Sequence, residues 1–140
     1  MDKDKVLKRL NEMNANTLME TLEIQFSDVG EDFIEATMPV GPKVHQPYGI
    51  MHGGASIALA ETVGSVLSAI SVDTTQFKSV GMQMNANHIR PKKDGMVTAR
   101  AEFVRKGRTT HLIKIEIKDE EGKLLTYCHL TNSIVPKDYV

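Results

Sequence analysis

Glu61 is the only charged residue in the run Gly53-Gly54-Ala55-Ser56-Ile57-Ala58-Leu59-Ala60-Glu61-Thr62-Val63-Gly64-Ser65-Val66-Leu67-Ser68-Ala69-Ile70. The run has no Pro, Lys or Arg, and its apolar residues fall on every side of a helical wheel. That is the pattern of a buried helix. A carboxylate inside such a helix is costly unless it is paired or its pKa rises instead. Glu61 is therefore a candidate for chemistry, as an attacking or a base group. Its alternatives are a glutamate reaching solvent through a gap in the surrounding sheet, or a satisfied structural carboxylate.

The start of the same helix supplies a second feature. His52-Gly53-Gly54 opens it, after Gln46-Pro47-Tyr48-Gly49. Free backbone N–H groups at a helix start, with the positive end of the helix dipole, favour a developing oxyanion. Glycine there lets a substrate carbonyl come close to the backbone. A bare Gly-Gly reads equally as an ordinary cap; its fixed distance from Glu61 gives it weight. Gly53 and Glu61 are eight residues apart, roughly 12 Å along a helix, and a glutamate leaning toward the N-terminus recovers only part of that gap. Both groups must lie about 3 Å from one reacting carbonyl. If both act, two antiparallel copies of the helix face each other across a dimer, and each completes the other's site.

Other chemistries find less support. No Gly-x-Ser-x-Gly elbow surrounds Ser56 or Ser65. The five histidines (His45, His52, His88, His111, His129) show no metal-ligand spacing, so no metal is expected. The single cysteine, Cys128, falls in an alternating strand pattern and reads as a small core hydrophobe. There is no phosphate-binding loop and no dinucleotide fingerprint. A carboxylate acting on an activated acyl compound fits what is left. A thioester suits it better than an amide, because a leaving thiolate needs little help from a proton.

The elements that must position these groups are legible around them. Val6, Leu7, Leu10 and Met13 recur at helical spacing and predict a short surface helix over the first ~12 residues. Leu22, Ile24 and Phe26 alternate with polar residues, and Ile34, Ala36 and Met38 repeat the pattern after a turn at Gly30. Residues 40–51, with Pro42, Pro47 and Gly49, read as an ordered loop. After the long helix, Val80, Met82, Met84, Ala86 and His88 are expected on one strand face, and Val97, Ala99, Ala101 and Phe103 on the next. Ile113, Ile115 and Ile117 alternate with Lys114, Glu116 and Lys118; a last strand runs from about Leu124 to Val135. The order is helix, two strands, long helix, four strands: an α+β domain over residues 1–140, its antiparallel sheet curled around one central helix.

Composition sets the outer limits. Hydrophobic residues are 41% and charged residues 25%, with a formal net charge of −1, the balance of an ordinary globular protein with no call for nucleic acid. The charged N-terminus leads straight into the first helix without a signal-peptide core, and no apolar run approaches the roughly 20 residues of a membrane span. A cytoplasmic protein with no membrane partner is expected. Basic residues gather locally at Arg90-Pro91-Lys92-Lys93 and Arg105-Lys106-Gly107-Arg108, as two solvated turns or as a place for a small anionic ligand.

The motif from Gln46 to Ser56, followed by Ala60-Glu61-Thr62-Val63-Gly64-Ser65, resembles hotdog-fold acyl-CoA thioesterases. The branch it is most similar to contains the phenylacetate-pathway and 1,4-dihydroxy-2-naphthoyl-CoA thioesterases. Asn85-Ala86-Asn87-His88-Ile89-Arg90-Pro91, Gly107-Arg108-Thr109 and the 119–124 hairpin extend the likeness over nearly the whole chain. The resemblance implies a hotdog fold, about six antiparallel strands wrapped around a long central helix. It implies hydrolysis of acyl-CoA, with Glu61 as nucleophile or general base and the Gly53 N–H in the oxyanion hole. Gln46 and His52 would position the acyl group and order the site, and Ser65 would orient the attacking group or a water. His88, Arg90, Arg108, Thr109 and Thr110 would lie along the pantetheine and phosphates of CoA. No cofactor is implied beyond the CoA of the substrate, and family members are usually dimers of dimers. Two other readings stand beside it. One is a hotdog protein that binds acyl-CoA or acyl-carrier protein without turnover, disfavoured by the presence of Glu61. The other is a hydratase, whose usual Asp and His pair is absent from the helix. An aromatic acyl group is expected by analogy, with a medium-chain aliphatic one close behind. Tyr48, Met51, Met82 and Met84 are candidates to line its pocket, or core residues.

Overall fold

The computed structural model describes residues 1–139. Helix α1 (Lys3–Glu12) is capped by the Asp2 side chain, which accepts from the Lys5 N–H. A four-residue helix, α2 (Leu18–Thr21), is capped in the same way by Thr17. Strands β1 (Gln25–Val29) and β2 (Phe33–Val40) form a hairpin around Gly30. A 3-10 turn over Pro42–Val44 and the loop to Met51 lead into α3 (Gly53–Ile70). Strands β3 (Phe77–His88), β4 (Gly95–Lys106), β5 (Thr110–Lys118) and β6 (Leu124–Pro136) complete the chain.

All six strands join one antiparallel sheet in the order β1-β2-β4-β5-β6-β3. Alternation builds its inner face: Ile34, Ala36 and Met38, then Val97, Ala99 and Ala101, then Ile113, Ile115 and Ile117 are all fully buried. On α3 the residues facing them are Ser56, Leu59, Ala60, Val63, Gly64, Leu67 and Ser68. A Cβ on Gly64 would stand 2.6 Å from Leu130 Cδ2, so a bare glycine lets helix and sheet approach this closely. This is the hotdog architecture, a sheet wrapped around one long helix. Against the expectation that no apolar run approaches a membrane span, α3 with its 18 residues is long and apolar enough by length and composition, but its packed side is the centre of the core.

Three expectations need correction. The helix is not buried all round: Gly54, Glu61 and Ala69 are exposed, and Ile57, Thr62, Ser65 and Val66 only half-buried. One sheet covers one side of a helix, and among the described residues no second layer covers the other. Leu22 does not belong to the first strand. It caps the end of α2, Glu23 adopts a left-handed conformation (φ 57°), and pairing begins only at Gln25. Val80 does not share a face with Met84, Ala86 and His88. A bulge between Gly81 and Gln83 reverses the alternation, so Val80 pairs with Ser133 while Met84 pairs with the buried Leu130.

Candidate active site

The loop before α3 is held from both sides. The Met51 N–H donates to Lys92 O (2.8 Å), the His52 N–H to Val44 O (2.7 Å) and the Gln46 N–H to Ile50 O (2.8 Å). Gly49 turns the chain at φ 77°, a conformation glycine adopts without strain. The Gln46 side chain accepts from the Tyr48 N–H, and Tyr48 stands out at the loop tip, 89% exposed.

At the helix start, His52 is the N-cap, and its Nδ1 accepts from the Gly54 N–H at 2.8 Å. The Ala55 and Ser56 N–H groups both point to His52 O. Among the described residues, the Gly53 N–H has no acceptor. It is an open donor at the positive end of an 18-residue helix. The His88 ring lies against it: a Cβ on Gly53 would stand 3.0 Å from His88 Nε2. Gln46, Gly53, His88 and Arg90 line one cleft of about 470 Å³. Lys92, from the local basic run, lines it too, with Ser56 and Thr126, which sequence reasoning did not assign to a site. Arg90 is fixed there by donating Nη1 to Leu124 O at 2.7 Å.

Glu61 and Ser65 do not line this cleft. They stand on the uncovered side of α3, with the Glu61 carboxylate leaning over β3. Its Oε2 is 3.7 Å from the point a Gly81 Cβ would occupy. In the single chain Glu61 is exposed, but on the uncovered side of the helix and not through a gap in the sheet. Arg108, Thr109 and Thr110 form a third group around the β4–β5 turn. There, with Arg105 and Gly107, they line a pocket of about 380 Å³. Gly107 closes this turn by donating to Thr110 O, and a Cβ would stand only 2.7 Å from that oxygen. One chain thus divides the expected residues among three places: the helix-start cleft, the exposed face of α3 and the β4–β5 turn.

Other groups keep the roles their surroundings dictate. Cys128 is buried, and burial pushes its thiol up to about 11, so it is a poor nucleophile. Of the candidate pocket residues, Met51 reaches the cleft, Met84 packs on the core and Met82 is 65% exposed. Beneath α3 lies a polar seam that sequence reasoning missed: His111, Ser68 and Asn132, all buried and joined by hydrogen bonds. A sequence signal existed, since Asn132 sits between Leu130 and Ile134 on the inward phase of β6.

A hotdog sheet around a helix with an open N–H at its start, and a carboxylate two turns along, is the framework of an acyl-transfer or hydrolytic enzyme. Residues 48–126 match the family described as the thioesterase superfamily. The chain belongs to that family, and it is an enzyme of the thioester hydrolase class. It is 40% identical over 129 residues to the 1,4-dihydroxy-2-naphthoyl-CoA hydrolase of Escherichia coli, covering 92% of this chain and 94% of that protein. The proofreading thioesterase of Cronobacter turicensis is 37% identical over 129 residues, covering 92% and 93%. The crystal structure of a thioesterase from Haemophilus influenzae superposes with a TM-score of 0.91 at 42% identity, covering 95% of this chain and 92% of that one.

Proposed function

We propose that this protein hydrolyses acyl-CoA thioesters to the free acid and CoA, in sites shared between two copies of the chain. The observation that carries the reading is the open Gly53 N–H in the cleft beside His88, matched by a Glu61 carboxylate two turns along on the uncovered side of the same helix. Paired antiparallel, two α3 helices would bring the Glu61 of one chain to the Gly53 of the other. The thioester carbonyl then accepts from Gly53, Glu61 attacks it or activates water, and Ser65 orients that step. Gln46 and His52 order the loop and cap around the acyl carbonyl. His88 and Arg90 in the cleft, with Arg108, Thr109 and Thr110 at the turn, hold the pantetheine and phosphates of CoA, with the Arg90 and Arg108 guanidinium groups set against the anionic phosphates.

Two features support the pairing. At one edge of the sheet, the Asn11 side chain on α1 bonds both N and O of Phe26 on β1, and just beyond the two elements Asn14 donates to Ile24 O, so α1 and the turn after it cover this edge. The other edge, the 12-residue β3, has no such cover among the described residues and exposes Phe77 and Met82. A long open edge pairs readily with another strand, and two copies of β3 would meet across a two-fold axis.

For the acyl group we favour an aromatic one, which the dihydroxynaphthoyl-CoA hydrolase of Escherichia coli supports, ahead of a medium-chain aliphatic one. The uncovered face of α3 continues past Ser65 to Val66, Ala69 and Ile70. With Leu10 and Met13 these line a largely apolar groove of about 810 Å³, ample for either.

The test is thiol release from benzoyl-, 4-hydroxybenzoyl-, dihydroxynaphthoyl-, hexanoyl- and palmitoyl-CoA, wild type beside Glu61→Gln. Turnover by the wild type that falls on the order of 10²-fold or more in the variant, with fold retained, is the expected result. Equal rates for the two would remove Glu61 from the chemistry. Tight acyl-CoA binding without any thiol release would establish a binding protein instead.

A further inference from the structure

Asn132 is fully buried, and its amide is fixed at one end only. Its Nδ2 donates to Ser68 Oγ at 2.8 Å and, more weakly, to Gly64 O at 3.4 Å. Ser68 Oγ in turn lies 2.9 Å from Nδ1 of the buried His111. With both nitrogen contacts made to α3, the orientation of the amide is set, and its oxygen must point the other way. Among the described residues, Asn132 Oδ1 accepts no hydrogen bond. Leaving a buried acceptor empty costs on the order of 1–3 kcal/mol, so this oxygen calls for a donor.

It points toward Gly81, its register partner on β3. The point where Gly81 would carry a Cβ lies 3.8 Å from Asn132 Oδ1 and 3.7 Å from Glu61 Oε2. Two acceptor oxygens, one buried and neutral and one anionic, therefore converge on the bare face of one glycine. Neither can satisfy the other. A water molecule seated between them, with two hydrogens to give, would satisfy both.

We propose that Asn132 positions the hydrolytic water, holding it with Glu61 over Gly81. The inference rests on the hydrolase reading and assigns the general-base route to it. One water hydrogen is donated to Asn132 Oδ1 and the other to Glu61 Oε2, which leaves a lone pair on the water oxygen free to attack. That pair forms the bond to the thioester carbon as the proton passes to Glu61. The carbonyl π pair moves onto oxygen, toward the Gly53 N–H of the second copy. Collapse restores the C=O and breaks the C–S bond. The sulfur keeps the bonding pair and takes the proton from Glu61. One water and one thioester give one carboxylic acid and one thiol, and the carboxylate is regenerated.

Gly81→Ala tests this without touching the Asn132 anchor. Its methyl group meets both oxygens at ordinary contact distance and fills the place of the water, and Gly81 does not adopt the left-handed backbone that would strain an alanine. Expected are an unchanged melting temperature, KM within about twofold and kcat down about tenfold or more, on the scale of a disturbed general-base step. Asn132→Leu, which keeps volume but loses the acceptor, should lower kcat similarly, whatever it does to stability. Single turnover in H2(18)O with enzyme in excess, using the best substrate of the panel, should place the label in the product acid. Label in the Glu61 side chain, or wild-type kcat in Gly81→Ala, would overturn the proposal while leaving an active hydrolase. A wild type inactive on the whole panel would remove the hydrolase reading as well.

Discussion

The reactive capacity of this protein rests on a few backbone and side-chain groups whose surroundings leave them unsatisfied. The Gly53 N–H is open because the ring of His52 takes the next donor, Gly54, and His52 O takes the two after it. That arrangement makes a sharp test possible. Gly53 is the first residue of α3, the helix position that tolerates proline best, and His52 already has the extended backbone (φ −64°, ψ 133°) that a following proline requires. Gly53→Pro removes the proposed oxyanion donor and little else; only the His88 ring, 3.0 Å from the new Cβ, must yield. Activity should fall about 10²–10³-fold, as for loss of an oxyanion-hole donor, with the circular dichroism spectrum retained. Full activity in a folded Gly53→Pro protein would show that this N–H is not the donor.

At the scale of elements, the seam between α3 and the sheet decides both stability and what could be read beforehand. A valine at Gly64 would drive its side chain into Leu130 and Ile115, so Gly64→Val should cost about 1–3 kcal/mol by overpacking, read as a lower melting temperature. The same seam carries a pH dependence. Burial, and then the Lys106 charge, hold the His111 pKa below its ordinary 6.5. The unfolded chain then binds a proton that the folded one refuses, so the stability His111 permits is complete above about pH 6.5 and declines as the pH falls below it. Melting temperatures from pH 7.5 to 5 should fall less in His111→Asn than in the wild type; parallel curves would contradict this. The apolar part of the seam was legible, though its buried polar members His111, Ser68 and Asn132 were not. The small residues of α3 and the Ile113-Ile115-Ile117 alternation specify a thin helix under a wrapped sheet, and the observed elements follow. What escaped were local exceptions to periodicity. The bulge at Gly81 turns Val80 outward, and the left-handed Glu23 detaches Leu22 from β1, since both depend on pairing that no single segment encodes. The candidate residues were legible by type, but their separation into three places was not, because a helical wheel counts apolar residues and not the layers available to cover them.

For the whole molecule, the geometry poses a question that one chain does not answer. The cleft that holds Gln46, Gly53, His88 and Arg90 lacks a carboxylate lining, and the carboxylate that could serve it stands two turns along, exposed on a face that no layer of the described residues covers. The roughly 12 Å between Gly53 and Glu61 follows from helix rise and does not close by side-chain rotation. Two copies related by a two-fold axis resolve both defects, since each offers the other what its own cleft lacks. Complementation tests this directly. Glu61→Gln and Gly53→Pro protomers are each inactive as homodimers on this reading. In a mixed dimer, the Gly53 of the first and the Glu61 of the second form one intact site, and the other site is doubly defective. Random exchange makes about half of the dimers mixed, each with one working site of two, so about a quarter of wild-type activity should return. If each chain instead held a whole site of its own, mixing would restore nothing even where native mass spectrometry shows the subunits exchanged.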